Sequence, residues 1–132
     1  MTNTHVFTYE FFLDTVKSYP LTQSRLVDRT SNNRRYAFCV AGAYLHAAGM
    51  TIKELSYLQG KKLFDDYSDI NREETYKRIN AFFNQHELEF KGIHELQMAF
   101  DEAINVTEGR KRVIEMLNER IRNRSSELQR VA

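Results

Sequence analysis

The residue of this sequence with the most reactive side chain is its single cysteine, Cys39. A cysteine becomes a nucleophile when its thiolate is stabilised, typically at a helix N-terminus or beside a histidine. Cys39 lies near the start of a predicted helix, which favours the thiolate. His46 lies ~10.5 Å further along that helix, at ~1.5 Å per residue, so it cannot hydrogen-bond with the thiol. A thiol-dependent enzyme would therefore need the fold to bring Cys39 together with His86 or His94 and with Asp101.

The neighbours of Cys39 favour a structural role instead. Free cysteine is among the most frequently buried residue types and packs like a small hydrophobic side chain. Gly42 lies inside the same predicted helix, where it costs about 1 kcal/mol relative to alanine, and a close contact with another backbone would offset that cost. We therefore expect Cys39 to be structural and Gly42 to face a second helix at close range. The other small residues of this stretch are Ala37, Ala41, Ala43, Ala47 and Ala48.

The sequence contains residue types that bind metals and phosphates, but they do not have the spacing that such binding sites need. Zinc sites need clustered Cys and His, but the four histidines are scattered along the chain. A calcium loop needs glycine at its sixth position and glutamate at its twelfth. Counted from Asp65, the sixth residue is Ile70 and the twelfth is Tyr76. The chain also has no phosphate-binding glycine loop. We therefore predict no metal and no cofactor.

The C-terminal stretch from about residue 110 is rich in arginine, and Arg112, Arg120 and Arg124 are the candidates for binding a partner. A basic helix can neutralise phosphates, so nucleic-acid binding is one hypothesis. Glu119 and Glu127 are interspersed among the arginines, which is more typical of a solvated helix face with ion pairs. We therefore consider protein binding a better supported hypothesis than nucleic-acid binding.

An apolar stripe runs along the same predicted helix. Its four positions, close to three- and four-residue spacing, are Ile114, Leu117, Ile121 and Leu128. The apolar side chains of such a stripe have to be buried, either against the domain itself or against a second copy of the helix. We predict that it forms the seam of a homodimer, and that Arg124 on the seam keeps this dimer modest.

The elements that must position these residues are mainly helical. Apolar residues recur at three- and four-residue spacing, the pattern of amphipathic helices. Pro20 ends the first helix, and Thr51 with Glu54 has the form of a capping box that starts a short one. Helices are expected to begin near 8, 36, 52, 72, 93 and 110, with a loop near Gly92 and a break at Gly109. The weakly periodic stretch between the first two helices leaves room for a short hairpin.

Together these elements predict a compact, mainly α single domain spanning 1–132, with the helix 36–48 at its centre. It should be a bundle of five or six helices whose inner positions include Tyr76 and Ile104. A chain of this length should bury roughly 68% of the surface that its unfolded form exposes, so it needs no disulfide to hold a core.

Charge and composition argue against two classes of partner, nucleic acid and membranes. The net charge of +1 provides no strong field towards DNA or an anionic membrane. No run approaches the ~18 apolar residues of a membrane span. The first residues lack the pattern of a signal peptide, and a single cysteine suits a reducing compartment. We therefore expect a cytoplasmic protein that does not bind membranes.

Four segments, FCVAGAYLHAAGM, ELSYL, GIHELQMAFDEA and RVIEMLNERI, resemble those of a group of small bacterial and phage proteins. That group carries a Phe/Trp/Tyr-Cys-Ala-x-Gly-Ala-Leu motif and, later, an apolar run into Asn-Asp. The chain matches the first motif at Phe38, Cys39, Gly42 and Ala43, and departs from it at Val40 and Tyr44. It keeps the aspartate of the second motif as Asp101 and lacks the asparagine. The resemblance implies a helical fold and no known activity.

The function that these observations favour is a non-enzymatic binding or regulatory protein. The resemblance suggests an accessory protein of a phage or mobile element that acts on a host protein. A thiol-dependent enzyme using Cys39 and a nucleic-acid binder using the C-terminal helix are the alternatives.

Overall fold

The computed structural model describes residues 8–29, 36–59, 63–64, 66–85 and 88–131, and the side chains of these except 82–91 and 125–131. In this part of the chain the fold is mainly α, as predicted, with six helices and two short antiparallel strand pairs. The helices are α1 (Tyr9–Ser18), α2 (Val40–Ala47), α3 (Ile52–Gln59), α4 (Arg72–Phe83), α5 (Phe90–Asp101) and α6 (Val106–Val131). The strand pairs are β1 (Asp28–Arg29) with β2 (Tyr36–Ala37), and β3 (Asn84–Gln85) with β4 (Leu88–Glu89).

The core is built around α2, whose first six residues are all buried. This helix contacts α1, α3 and α5, and α1 and α5 both pack on α6. Tyr44 of α2 stacks on Phe12 of α1 with ring centroids 4.8 Å apart. Leu96 of α5 and Leu117 of α6 are fully buried in the same cluster. The predicted central position of this helix is therefore confirmed.

Local capping signals set several helix starts. Thr51 and Glu54 form the predicted capping box: each side chain accepts a hydrogen bond from the backbone N–H of the other, at 3.1 Å and 3.0 Å. At the start of α4, the side-chain oxygen of Asn71 accepts from the N–H of Glu74 at 3.0 Å. These contacts satisfy N–H groups that have no partner within the helix.

Three predicted boundaries are wrong. Helix α2 begins at Val40 rather than near residue 36, because Tyr36–Ala37 pairs with β1 as the hairpin between the first two helices. Gly92 lies inside α5, and Gly109 lies inside α6. Helix α6 starts earlier than predicted because Asn105 caps it, accepting from the N–H of Glu108 at 2.9 Å.

Two residues predicted to face inwards are exposed. Tyr76 is 46% exposed and Ile104 is 87% exposed. On α4 the neighbouring Thr75 is buried instead of Tyr76. Ile104 lies beyond the end of α5, in the short connection to α6, so it no longer follows the helical repeat that was used to place it.

The connecting segment 21–27 is tied to the helices around it by hydrogen bonds. The N–H of Cys39 donates to the carbonyl of Arg25 at 2.9 Å. The amide of Gln59, at the end of α3, makes two hydrogen bonds with the backbone of Val27, at 2.8 Å and 3.1 Å. Ser24, with φ of 69°, donates its N–H to Asp101 at 2.9 Å. The segment is therefore fixed to α2, α3 and α5 without regular secondary structure.

Gly42 is the point at which this segment approaches α2 most closely. A Cβ atom on Gly42 would lie 2.7 Å from the carbonyl carbon of Leu26, and closer still to its oxygen. The predicted close contact exists, but its partner is the segment 21–27 and not a second helix. The missing side chain is what lets the two backbones pack at this distance.

Candidate functional site

Cys39 is the N-terminal capping residue of α2. Its side chain accepts a hydrogen bond from the N–H of Gly42 at 3.3 Å, and the residue is only 3% exposed. Burial, with the charge of nearby Asp101 as a smaller contribution, raises the pKa of the Cys39 thiol to about 12. The thiol is therefore protonated at neutral pH, and it has the setting of a small core residue.

Among the described residues, the structure does not bring a histidine and an aspartate together with Cys39 as the predicted thiol site would require. Asp101 is close enough to raise the pKa of the thiol, which is the opposite of activation. Its carboxylate accepts from the N–H of Ser24. His94 is exposed and lines a cleft to which Cys39 does not contribute. His86 lies outside the described residues.

The cleft that His94 lines is the candidate site of this molecule. It has a volume of about 260 Å³ and lies where α2, α3, α4, α5 and the segment 21–27 meet. It is mainly apolar and partly open to solvent. Among the residues that the structure describes, six apolar and two polar ones line it: Leu26, Ala41, Leu45, Leu58, Ile79, Ile93, His94 and Gln97.

Regular helical spacing places four of these eight residues on the cleft wall. Ala41 and Leu45 are four residues apart on α2, and Ile93 and Gln97 are four residues apart on α5. Residues at this spacing lie on one face of a helix, one turn apart. Leu26 comes from the segment 21–27, so the hydrogen bonds that fix that segment also fix this part of the wall.

Gln97 is the polar residue whose role in the cleft is clearest. Its Oε1 atom accepts a hydrogen bond from the N–H of Ala41 at 2.9 Å, one of the N–H groups at the start of α2 that have no partner within the helix. This hydrogen bond ties α5 to the start of α2 at the wall of the cleft.

Two of the three arginines of α6 that were predicted to bind a partner make contacts within the chain. Arg120 forms an ion pair with Glu95 of α5 at 2.9 Å. Arg124 pairs with Glu10 of α1, and the Arg124 guanidinium beside Glu10 holds the pKa of that carboxyl below its usual value. Arg112 is exposed. Arg120 and Arg124 therefore hold α6 against its neighbours in this structure.

The apolar stripe of α6 divides between the core and the surface. Leu117 is fully buried in the core of its own chain, so it does not face a second copy. Ile114 is half-buried and packs against the same core. Ile121 is also half-buried, and the side chain of Leu128 lies outside those described. The homodimer seam stays a prediction, without Leu117 as one of its contacts.

A second, polar pocket of about 270 Å³ lies at the N-terminal ends of α3 and α4. Arg78 donates to both carboxylate oxygens of Glu54, at 3.0 Å and 2.9 Å, and to the carbonyl of Gly49. Lys53 pairs with Asp69 at 2.7 Å. Within the part of the chain that the structure describes, no group of three or more His, Cys, Asp or Glu residues could hold a metal ion.

The sequence did not predict the cleft. Its small residue Ala41 was noted as one that permits close packing, and His94 was considered only as a partner of Cys39. Leu26 and Ile79 come from distant parts of the chain, and Gln97 lies within an ordinary amphipathic helix.

Comparison of the chain with protein-family models, with curated proteins and with solved structures found no match in any of the three. Among the residues that the structure describes, no helix combines the length and the apolar character needed to cross a membrane.

Proposed function

We propose that the protein is a non-enzymatic binding protein that engages a protein partner through the apolar cleft. The observation that carries the proposal is the cleft itself, an open pocket that six described apolar side chains line together with His94 and Gln97. Apolar pockets with a few polar groups are the usual form of binding sites. From the resemblance noted in the sequence, we further propose that the protein is an accessory protein of a phage or mobile element and that its partner is a host protein.

The two alternative functions have less support. Burial raises the pKa of the Cys39 thiol to about 12, which does not suit a nucleophile near neutral pH. Arg120 and Arg124 are paired with carboxylates of the same chain, which reduces the positive charge that α6 can present to phosphates.

Photo-crosslinking from the rim of the cleft tests the proposal. A benzophenone amino acid at His94, compared with one at the exposed Lys111 on α6, would be irradiated in a bacterial lysate. We expect one discrete adduct from position 94 and none from position 111. The Ala41→Leu variant, whose larger side chain fills the cleft, should abolish the adduct.

The matched control is Ala81→Leu, which makes the same change at an exposed position of α4 and should leave the adduct intact. Equal crosslinking from positions 94 and 111, or an adduct that persists in Ala41→Leu, would contradict binding through the cleft.

A further inference from the structure

We draw no further inference here: the strongest candidate, the polar pocket of about 270 Å³ at the N-terminal ends of α3 and α4, rests on helix N-termini and on carboxylates, of which Glu54 is paired with Arg78 and Asp69 with Lys53, and no second observation among the described residues points to a ligand.

Discussion

Replacing Gly42 with alanine is the change whose effect the structure specifies most fully. The new methyl group would lie 2.7 Å and 2.9 Å from the carbonyl carbon and the Cα of Leu26, and closer still to the carbonyl oxygen. All three are backbone atoms, so no side-chain rotation can relieve the overlap. Either α2 or the segment 21–27 has to move.

Two opposing effects set the magnitude. Alanine is about 1 kcal/mol more favourable than glycine inside a helix. Overpacking of a core typically costs about 1–3 kcal/mol and sometimes more. Moving the segment also strains the hydrogen bonds of Arg25 with Cys39 and of Val27 with Gln59, each worth about 1 kcal/mol. We therefore expect Gly42→Ala to lower the free energy of unfolding by about 2–3 kcal/mol.

Urea and thermal unfolding followed by circular dichroism would measure this change. For a chain of this length, a loss of about 3 kcal/mol corresponds to a fall in Tm on the order of 10 °C. Gly92→Ala in α5 is the matched control. The Cβ atom there would lie 3.3 Å from the end of the flexible Arg120 side chain, so the helix propensity of alanine should leave this variant unchanged or stabilise it by up to about 1 kcal/mol.

Gly109→Ala should fall between these two. Its Cβ atom would lie 2.6 Å from the Phe100 ring and 2.8 Å from the Phe100 carbonyl oxygen. If Gly42→Ala were as stable as Gly92→Ala, the close approach of the segment 21–27 to α2 would be refuted, and with it the reason for a glycine at position 42.

Three further changes test other parts of the structure. Burial lowers the pKa of His46 below its ordinary 6.5, so the unfolded chain takes up a proton at a higher pH than the folded one; we expect stability to fall from about pH 7 to pH 5, and to fall less in His46→Gln. Cys39 should react with iodoacetamide at pH 8 only when urea unfolds the protein, and Cys39→Ala should cost about 1 kcal/mol through the lost cap; rapid labelling of the folded protein would contradict its burial. The Tyr44 hydroxyl is buried with no hydrogen-bond partner among the described residues, so Tyr44→Phe should be neutral or stabilise by up to about 1 kcal/mol in urea unfolding.

Local signals in the sequence predicted the helices well. Pro20 follows the end of α1, and Thr51 with Glu54 starts α3 with the expected reciprocal hydrogen bonds. Each of these signals acts within four residues along the chain, so it needs no knowledge of the tertiary fold. The three- and four-residue spacing of an amphipathic helix is also a local pattern, so the mainly α fold class could be predicted from it.

The glycines show where local reasoning fails. Gly92 and Gly109 were expected to interrupt helices, because glycine is a poor helix former. Gly109 is instead retained inside α6 because the Phe100 ring and carbonyl occupy the space of a Cβ atom. That contact joins α5 to α6, and the sequence pattern alone does not show which ring would meet which glycine.

The cleft was beyond sequence reasoning for a related reason. Its walls come from four helices and the segment 21–27, and the segment has no periodicity that reveals its path. Hydrogen bonds to partners remote in sequence fix that path: Gln23 donates to the carbonyls of Phe100 and Ala103, Gln59 bonds the backbone of Val27, and Asp101 accepts from Ser24. The sequence shows two glutamines and an aspartate, but not the backbone groups with which they pair.

The small residues of α2 connect the core with the proposed site. Gly42 lets the segment 21–27 pack against the helix, and this packing brings Leu26 to the wall of the cleft beside Ala41. Larger side chains at these two positions would therefore act differently. At position 42 they would displace the wall and destabilise the fold, whereas at position 41 they would fill the cleft and block binding. A loss of partner binding in Ala41→Leu with little loss of stability would assign the two residues these separate roles.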